Sequence, residues 1–141
     1  MITEGAGKER AAMPIRLLVV DDEVDFLESI VMRIELRGFQ TRGVTSGTAA
    51  LEYLEANPDS VDIVLLDIKM PGMDGLETLR RIKTSFPEIE AIVVTGHGSQ
   101  EYNRLGRELG AFDYLIKPIR LDTILERIEA AYRSRYPESE D

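Results

Sequence analysis

The side chains able to do chemistry in this sequence are few, and most of them are acidic. Asp21-Asp22-Glu23 follows the run Ile15-Arg16-Leu17-Leu18-Val19-Val20, and Asp67 directly follows Ile63-Val64-Leu65-Leu66. Thr95-Gly96 ends a third apolar run, and Lys117-Pro118 a fourth. If these runs are neighbouring strands, three aspartates, a hydroxyl and an ammonium emerge along one edge. Two carboxylates ~4 Å apart repel by about 4 kcal/mol at an effective dielectric near 20, so such a cluster demands cations. Lys117 supplies one. A hard divalent ion such as Mg²⁺ suits an open, all-oxygen site and formally balances the remaining charge. A carboxylate screened in this way can act as a nucleophile toward phosphorus, and Thr95 can donate a hydrogen bond to a phosphoryl oxygen.

The elements that must position these residues are legible as a change of period. Strands are expected at Ile15 to Val20, Phe39 to Val44 (weaker), Asp62 to Leu66, Ala91 to Thr95 and Phe112 to Ile116. Between them run helical stripes: Leu27, Ile30, Val31 and Ile34; Ala50, Leu51 and Leu54; Leu76, Leu79 and Ile82; Leu121, Ile124, Leu125, Ile128 and Tyr132. Asp74-Gly75-Leu76-Glu77 is a capping-box-like start for the third stripe. Ser99 to Leu109 is the poorest helix, because Gly106 costs ~1 kcal/mol relative to Ala in a helix interior. Strict alternation predicts an α/β fold, a doubly wound parallel sheet of five strands with helices on both faces. Ligands of such folds bind beyond the carboxyl ends of the strands, where the strand order reverses. That is the edge that carries the acids.

With 141 residues, the chain fits one domain. Acids outnumber bases 26 to 17, a formal charge of −9. That balance argues against nucleic acid and anionic membranes as partners, both of which select for basic surfaces. Cysteine is absent, which excludes disulfides and thiolate chemistry and is compatible with a reducing cytoplasm. The N-terminal MITEGAGKERAAM lacks the apolar run of a signal peptide, and no stretch approaches the ~20 apolar residues of a membrane span. Residues 1–13 read as a flexible tail, 14–133 as the domain and 134–141 as an acidic tail. The lone His97 has no second His or Cys to share a metal and reads as a solvated loop residue. Neither a dinucleotide fingerprint nor a GxxxxGK[ST] motif is present.

The set Asp21-Asp22, Asp67, Thr95 and Lys117-Pro118, with Asp67-Ile-Lys-Met-Pro-Gly-Met-Asp-Gly75, closely resembles the receiver domain of two-component response regulators, from about Pro14 to Arg133. The resemblance implies a flavodoxin-like, CheY-like (βα)5 fold of strand order 2-1-3-4-5. It implies that Asp67 is the phosphoacceptor, taking its phosphoryl group from a phosphohistidine of a sensor histidine kinase or phosphotransfer protein. Mg²⁺ would be bound by Asp22, Asp67 and the backbone carbonyl of Lys69, with Asp21 acting through metal-bound water. Thr95 and Lys117 would contact the phosphoryl group, and Tyr114 would change rotamer on activation. The Lys117–Pro118 bond would be cis, a geometry rare in general, and Lys69 and His97 would tune water access to the acyl phosphate. Gly96 departs from the Ala more usual after the threonine. By this resemblance the chain is a signalling switch rather than a turnover enzyme. Its output would pass through the face of helix 4, strand 5 and helix 5 to another protein or to a phosphorylation-dependent homodimer. Two rivals remain: a Mg²⁺-dependent aspartyl phosphatase, whose class shows Asp-x-Asp rather than adjacent aspartates, and a binding module that keeps the fold without phosphorylation.

Overall fold

Each apolar run becomes a strand and each stripe a helix. The computed structural model describes residues 13–69, 75–96 and 100–137. In chain order these are β1 (Arg16–Val20), α1 (Val24–Glu35), β2 (Gln40–Val44), α2 (Gly47–Ala56) and β3 (Ile63–Leu66). There follow α3 (Gly75–Ser85), β4 (Glu90–Thr95), α4 (Gln100–Glu108), β5 (Asp113–Ile116) and α5 (Leu121–Arg135). The five strands are all parallel, in the order β2-β1-β3-β4-β5. The Asp74 expected to cap α3 lies outside the described residues. Helix α5 continues to Arg135, so the expected domain edge at residue 133 falls inside a helix, beyond the buried pair Ala131 and Tyr132.

Side chains alternate across a strand, so the central strands feed two cores. Leu17, Val19, Ile63, Leu65, Ile92 and Val94 face Leu27, Ile30 and Ile34 of α1 and Ile124 and Ile128 of α5. Leu18, Val20, Val64, Leu66, Ala91 and Val93 face Ala50 and Leu54 of α2 and Leu79 and Ile82 of α3. Each fully buried aliphatic side chain contributes ~1.5–3 kcal/mol. β2 reads weakly because it is an edge strand: none of its residues is fully buried, and Arg42 lies over the Tyr53 ring at 4.9 Å. At the amino end of the sheet the Arg16 guanidinium pairs with buried Asp62, Nη2 to Oδ1 at 2.9 Å and Nε to Oδ2 at 3.2 Å, joining β1 to the entry of β3. No helix among the described residues is long and apolar enough to cross a membrane.

The glycine that weakens α4 has a packing reason. Gly106 is buried, and a methyl group there would stand 3.3 Å from Cδ2 of the Tyr114 ring. The helix gives up propensity at this position so that the ring can lie beneath it.

Candidate functional site

The ends of the sheet ladder place the acids. The Asp67 amide donates to Val20 O at 3.0 Å and the Asp21 amide to Val44 O at 3.1 Å, so both residues leave adjacent strands at the same level. That level is the reversal of strand order between β1 and β3. One strand further, Thr95 ends β4, and the Lys117 amide donates to Thr95 O at 2.7 Å. Behind Asp67, Gly75 opens α3 against the chain, its amide donating to Ile68 O at 3.0 Å. A methyl group at Gly75 would fall 2.1 Å from Ile68 Cα, so any larger residue would displace the segment that carries Asp67.

Asp67 is 5% exposed. Its Oδ1 accepts from Thr95 Oγ1 at 2.7 Å and from the Lys69 amide at 2.9 Å, and its Oδ2 stands 3.5 Å from Lys117 Nζ. Asp21 is 2% exposed and divides its two oxygens. Oδ1 accepts from the Glu23 amide at 2.9 Å, and Oδ2 accepts from Lys117 Nζ at 2.7 Å. Asp21 thus both holds the turn at the start of α1 and partners the lysine. Asp22 is half-buried beside them, and Asp21, Asp22 and Asp67 each offer a carboxylate oxygen within 4.8 Å of the others. Lys117, which taken alone would pass for a solvated surface lysine, has a side chain only 14% exposed.

One ammonium shared among three acids cannot satisfy each of them. Burial pushes the Asp21 carboxyl above its ordinary value, and hydrogen bonds from Lys117 and the Glu23 amide do not fully reverse this. For Lys117, burial acts downward, but the bonds to Asp21 and Glu23 outweigh it and hold the ammonium above its ordinary value. An all-oxygen, partly buried cluster with surplus negative charge fits a hard divalent cation. It also presents a carboxylate between a hydroxyl donor and an ammonium, the arrangement that receives an electrophile carrying anionic oxygens.

The other expected positions divide. Tyr114 is 5% exposed, its ring packed against Gly106, and burial raises its hydroxyl above the ordinary value. The Lys117–Pro118 bond is cis. Lys69 contributes its amide to Asp67. At Gly96 a methyl group would meet nothing within 4 Å among the described residues, so an alanine fits against them. His97 lies outside the described residues. Two contacts escaped the sequence reading: Lys117 Nζ is 3.0 Å from Glu23 Oε1 and 4.0 Å from the centroid of the Phe26 ring. The signal available was weak, the spacing of Phe26 four residues before Ile30 on α1.

Residues 17–129 match the family described as response regulator receiver domain. The chain belongs to that family. This receiver is 34% identical over 126 residues to the response regulator MprA of Mycolicibacterium vanbaalenii, covering 89% of the chain and 54% of that protein. The chain therefore spans about half the length of the MprA relatives it matches. Among solved structures it is similar to a response regulator receiver domain protein from Clostridium thermocellum, with a TM-score of 0.81 and 34% identity over 86% of this chain and 96% of that one. It is also similar to a chain of the CheX-CheY-BeF3-Mg²⁺ complex from Borrelia burgdorferi, with a TM-score of 0.81 and 25% identity over 88% of this chain and 93% of that one.

Proposed function

We propose that this receiver is a phosphorylation-activated switch that accepts a phosphoryl group on a carboxylate oxygen of Asp67. The observation that carries this reading is the placement of Asp67 itself. It is a buried carboxylate held by the Thr95 hydroxyl at 2.7 Å, faced by the Lys117 ammonium at 3.5 Å and grouped with Asp21 and Asp22. The donor would be a phosphohistidine on a histidine kinase or phosphotransfer protein. The donor N–P bond breaks as the Asp67 O–P bond forms, and the leaving imidazole nitrogen keeps its electron pair and takes a proton from solvent.

Asp21, Asp22 and Asp67 fit Mg²⁺ by donor type and grouping, and the family resemblance adds the Lys69 carbonyl. A bound divalent ion would neutralise part of the carboxylate charge and attract the oxygens of the incoming phosphoryl group. The Borrelia complex, by its description, holds Mg²⁺ and a beryllofluoride. Lys117 supplies fixed positive charge, and the Thr95 hydroxyl, which donates to Asp67 Oδ1 at 2.7 Å, would turn to donate to a phosphoryl oxygen instead. Thr95 and Tyr114 lie on the adjacent strands β4 and β5, so that turn opens space toward the buried ring. Tyr114 moving off Gly106 would reshape the surface of α4, β5 and α5, which then meets a downstream protein or a second copy. Residues 1–13 and the acidic segment beyond α5 are tails in this reading, and the switch works in the cytoplasm without contacting nucleic acid itself.

Acetyl phosphate carrying a ³²P label tests the reading. With Mg²⁺ the chain is expected to take up one phosphoryl group, to lose it by slow hydrolysis, and to take up none when a chelator is present. Asp67→Asn is expected to abolish labelling. Labelling of that variant at the native level, or steady turnover of simple phosphate monoesters, would sink the assignment.

A further inference from the structure

Lys117 is held by more than the acids. Its Nζ stands 4.0 Å above the Phe26 ring, which belongs to the first turn of α1. On the open side it reaches Glu23 Oε1 at 3.0 Å, but the Glu23 side chain is 65% exposed, and an ion pair of that kind contributes little. The ring is better anchored. It packs on the core under α1 and α5, and with Ile30, Val94 and Ile124 it lines a cavity of about 10 Å³ that reaches Asp21 and Asp67. What only an aromatic ring adds is a negative face, and it is this face that meets the ammonium.

We propose that Phe26 is a positioning residue for Lys117, its ring holding the ammonium inside the acidic pocket and limiting its excursions toward solvent. The kinetic consequence rests on the reading of Asp67 as phosphoacceptor; the Phe26–Lys117 contact does not. A lysine already seated over the ring meets the incoming phosphoryl oxygens without reorganising.

Two measurements on the full chain test this. The first needs no phosphate. In NMR spectra the Lys117 ε-methylene protons are expected upfield of the other lysines through the ring current of Phe26. This shift is lost in Phe26→Leu and kept in Phe26→Tyr. The second is the rate of Asp67 labelling by phosphoramidate. It is expected to fall about three- to tenfold in Phe26→Leu, with the loss in the maximal rate rather than in the half-saturating donor concentration, and to recover in Phe26→Tyr. If the wild type takes no phosphoryl group, the reading of the site fails while the ring-current shift still judges the contact. If the wild type is labelled and Phe26→Leu matches it, the proposal is overturned. The same holds if Lys117 resonates with the other lysines in the wild type, a result that stands even if the leucine variant does not fold.

Discussion

Lys117 donates to Asp21 and Glu23 and lies 3.5 Å from Asp67, so its charge is spent within a pocket that still holds more acid than base. Removing it should affect cation binding and phosphoryl uptake in opposite directions. Lys117→Met is expected to bind Mg²⁺ about three- to tenfold more tightly, because the carboxylates lose a competing cation. The same variant is expected to label on Asp67 at least about tenfold more slowly, because fixed positive charge is gone from the phosphoryl oxygens. Calorimetric titration with Mg²⁺ and a labelling time course check the two halves. Weaker Mg²⁺ binding in the variant would mean that Lys117 supports the acids by geometry rather than opposing the cation by charge.

At the scale of elements, α4 is where propensity and packing disagree. Gly106 should be a weak point by propensity, yet it gives room to Tyr114. Gly106→Ala is therefore expected to raise the melting temperature by less than the ~1 kcal/mol of helix propensity implies. It is expected as well to shift the Tyr114 ring resonances as the ring is pushed outward; a full gain in stability with unchanged Tyr114 signals would contradict this. Lys83 of α3 is a second such place. Its Nζ donates to Ile89 O at 2.7 Å and Pro87 O at 3.2 Å, holding the turn into β4. Burial, only partly offset by Glu90, lowers its pKa from the ordinary 10.5. A lysine that loses its proton earlier in the folded state than in the unfolded chain adds stability as pH rises through the window below 10.5. Wild type should therefore gain on Lys83→Met between pH 8 and 10.5 in paired thermal melts, whatever the offset between them at pH 8.

For the whole molecule, the acid excess and the doubly wound sheet meet at one place. The sheet brings buried carboxylates to its reversal point, where their mutual repulsion opposes folding unless a cation is present. Mg²⁺ in excess is expected to raise the melting temperature, with a stabilisation that grows as RT ln(1 + [Mg²⁺]/Kd), and a chelator should reverse it. The rise should be sharply reduced in Asp67→Asn, which removes a carboxylate from the group. An equal rise in that variant would place the responsible ion elsewhere on this acidic surface.

Much of the fold was legible because its signals are local. β1, β3 and β4 are apolar runs bounded by acids or glycine, and α1, α3 and α5 carry stripes at helical spacing, so alternation and its parallel sheet followed from the sequence. The grouping of Asp21, Asp22, Asp67, Thr95 and Lys117 was legible too, because the carboxyl ends of such strands share one edge. Strand starts shifted by about a residue, while the stops fell where expected, because ladder pairing, not hydrophobicity, decides where a strand begins. What tertiary structure alone decided were the contacts between residues distant in sequence. These are the division of Asp21 between the Glu23 amide and Lys117, the Thr95 bond to Asp67, the ring of Tyr114 beneath Gly106 and the ring of Phe26 beneath Lys117. Residue type and spacing determined which chemistry could be done at this edge of the sheet. Which oxygen faces which donor, and what holds the donor there, depended on how α1 and β5 pack across the strands between them.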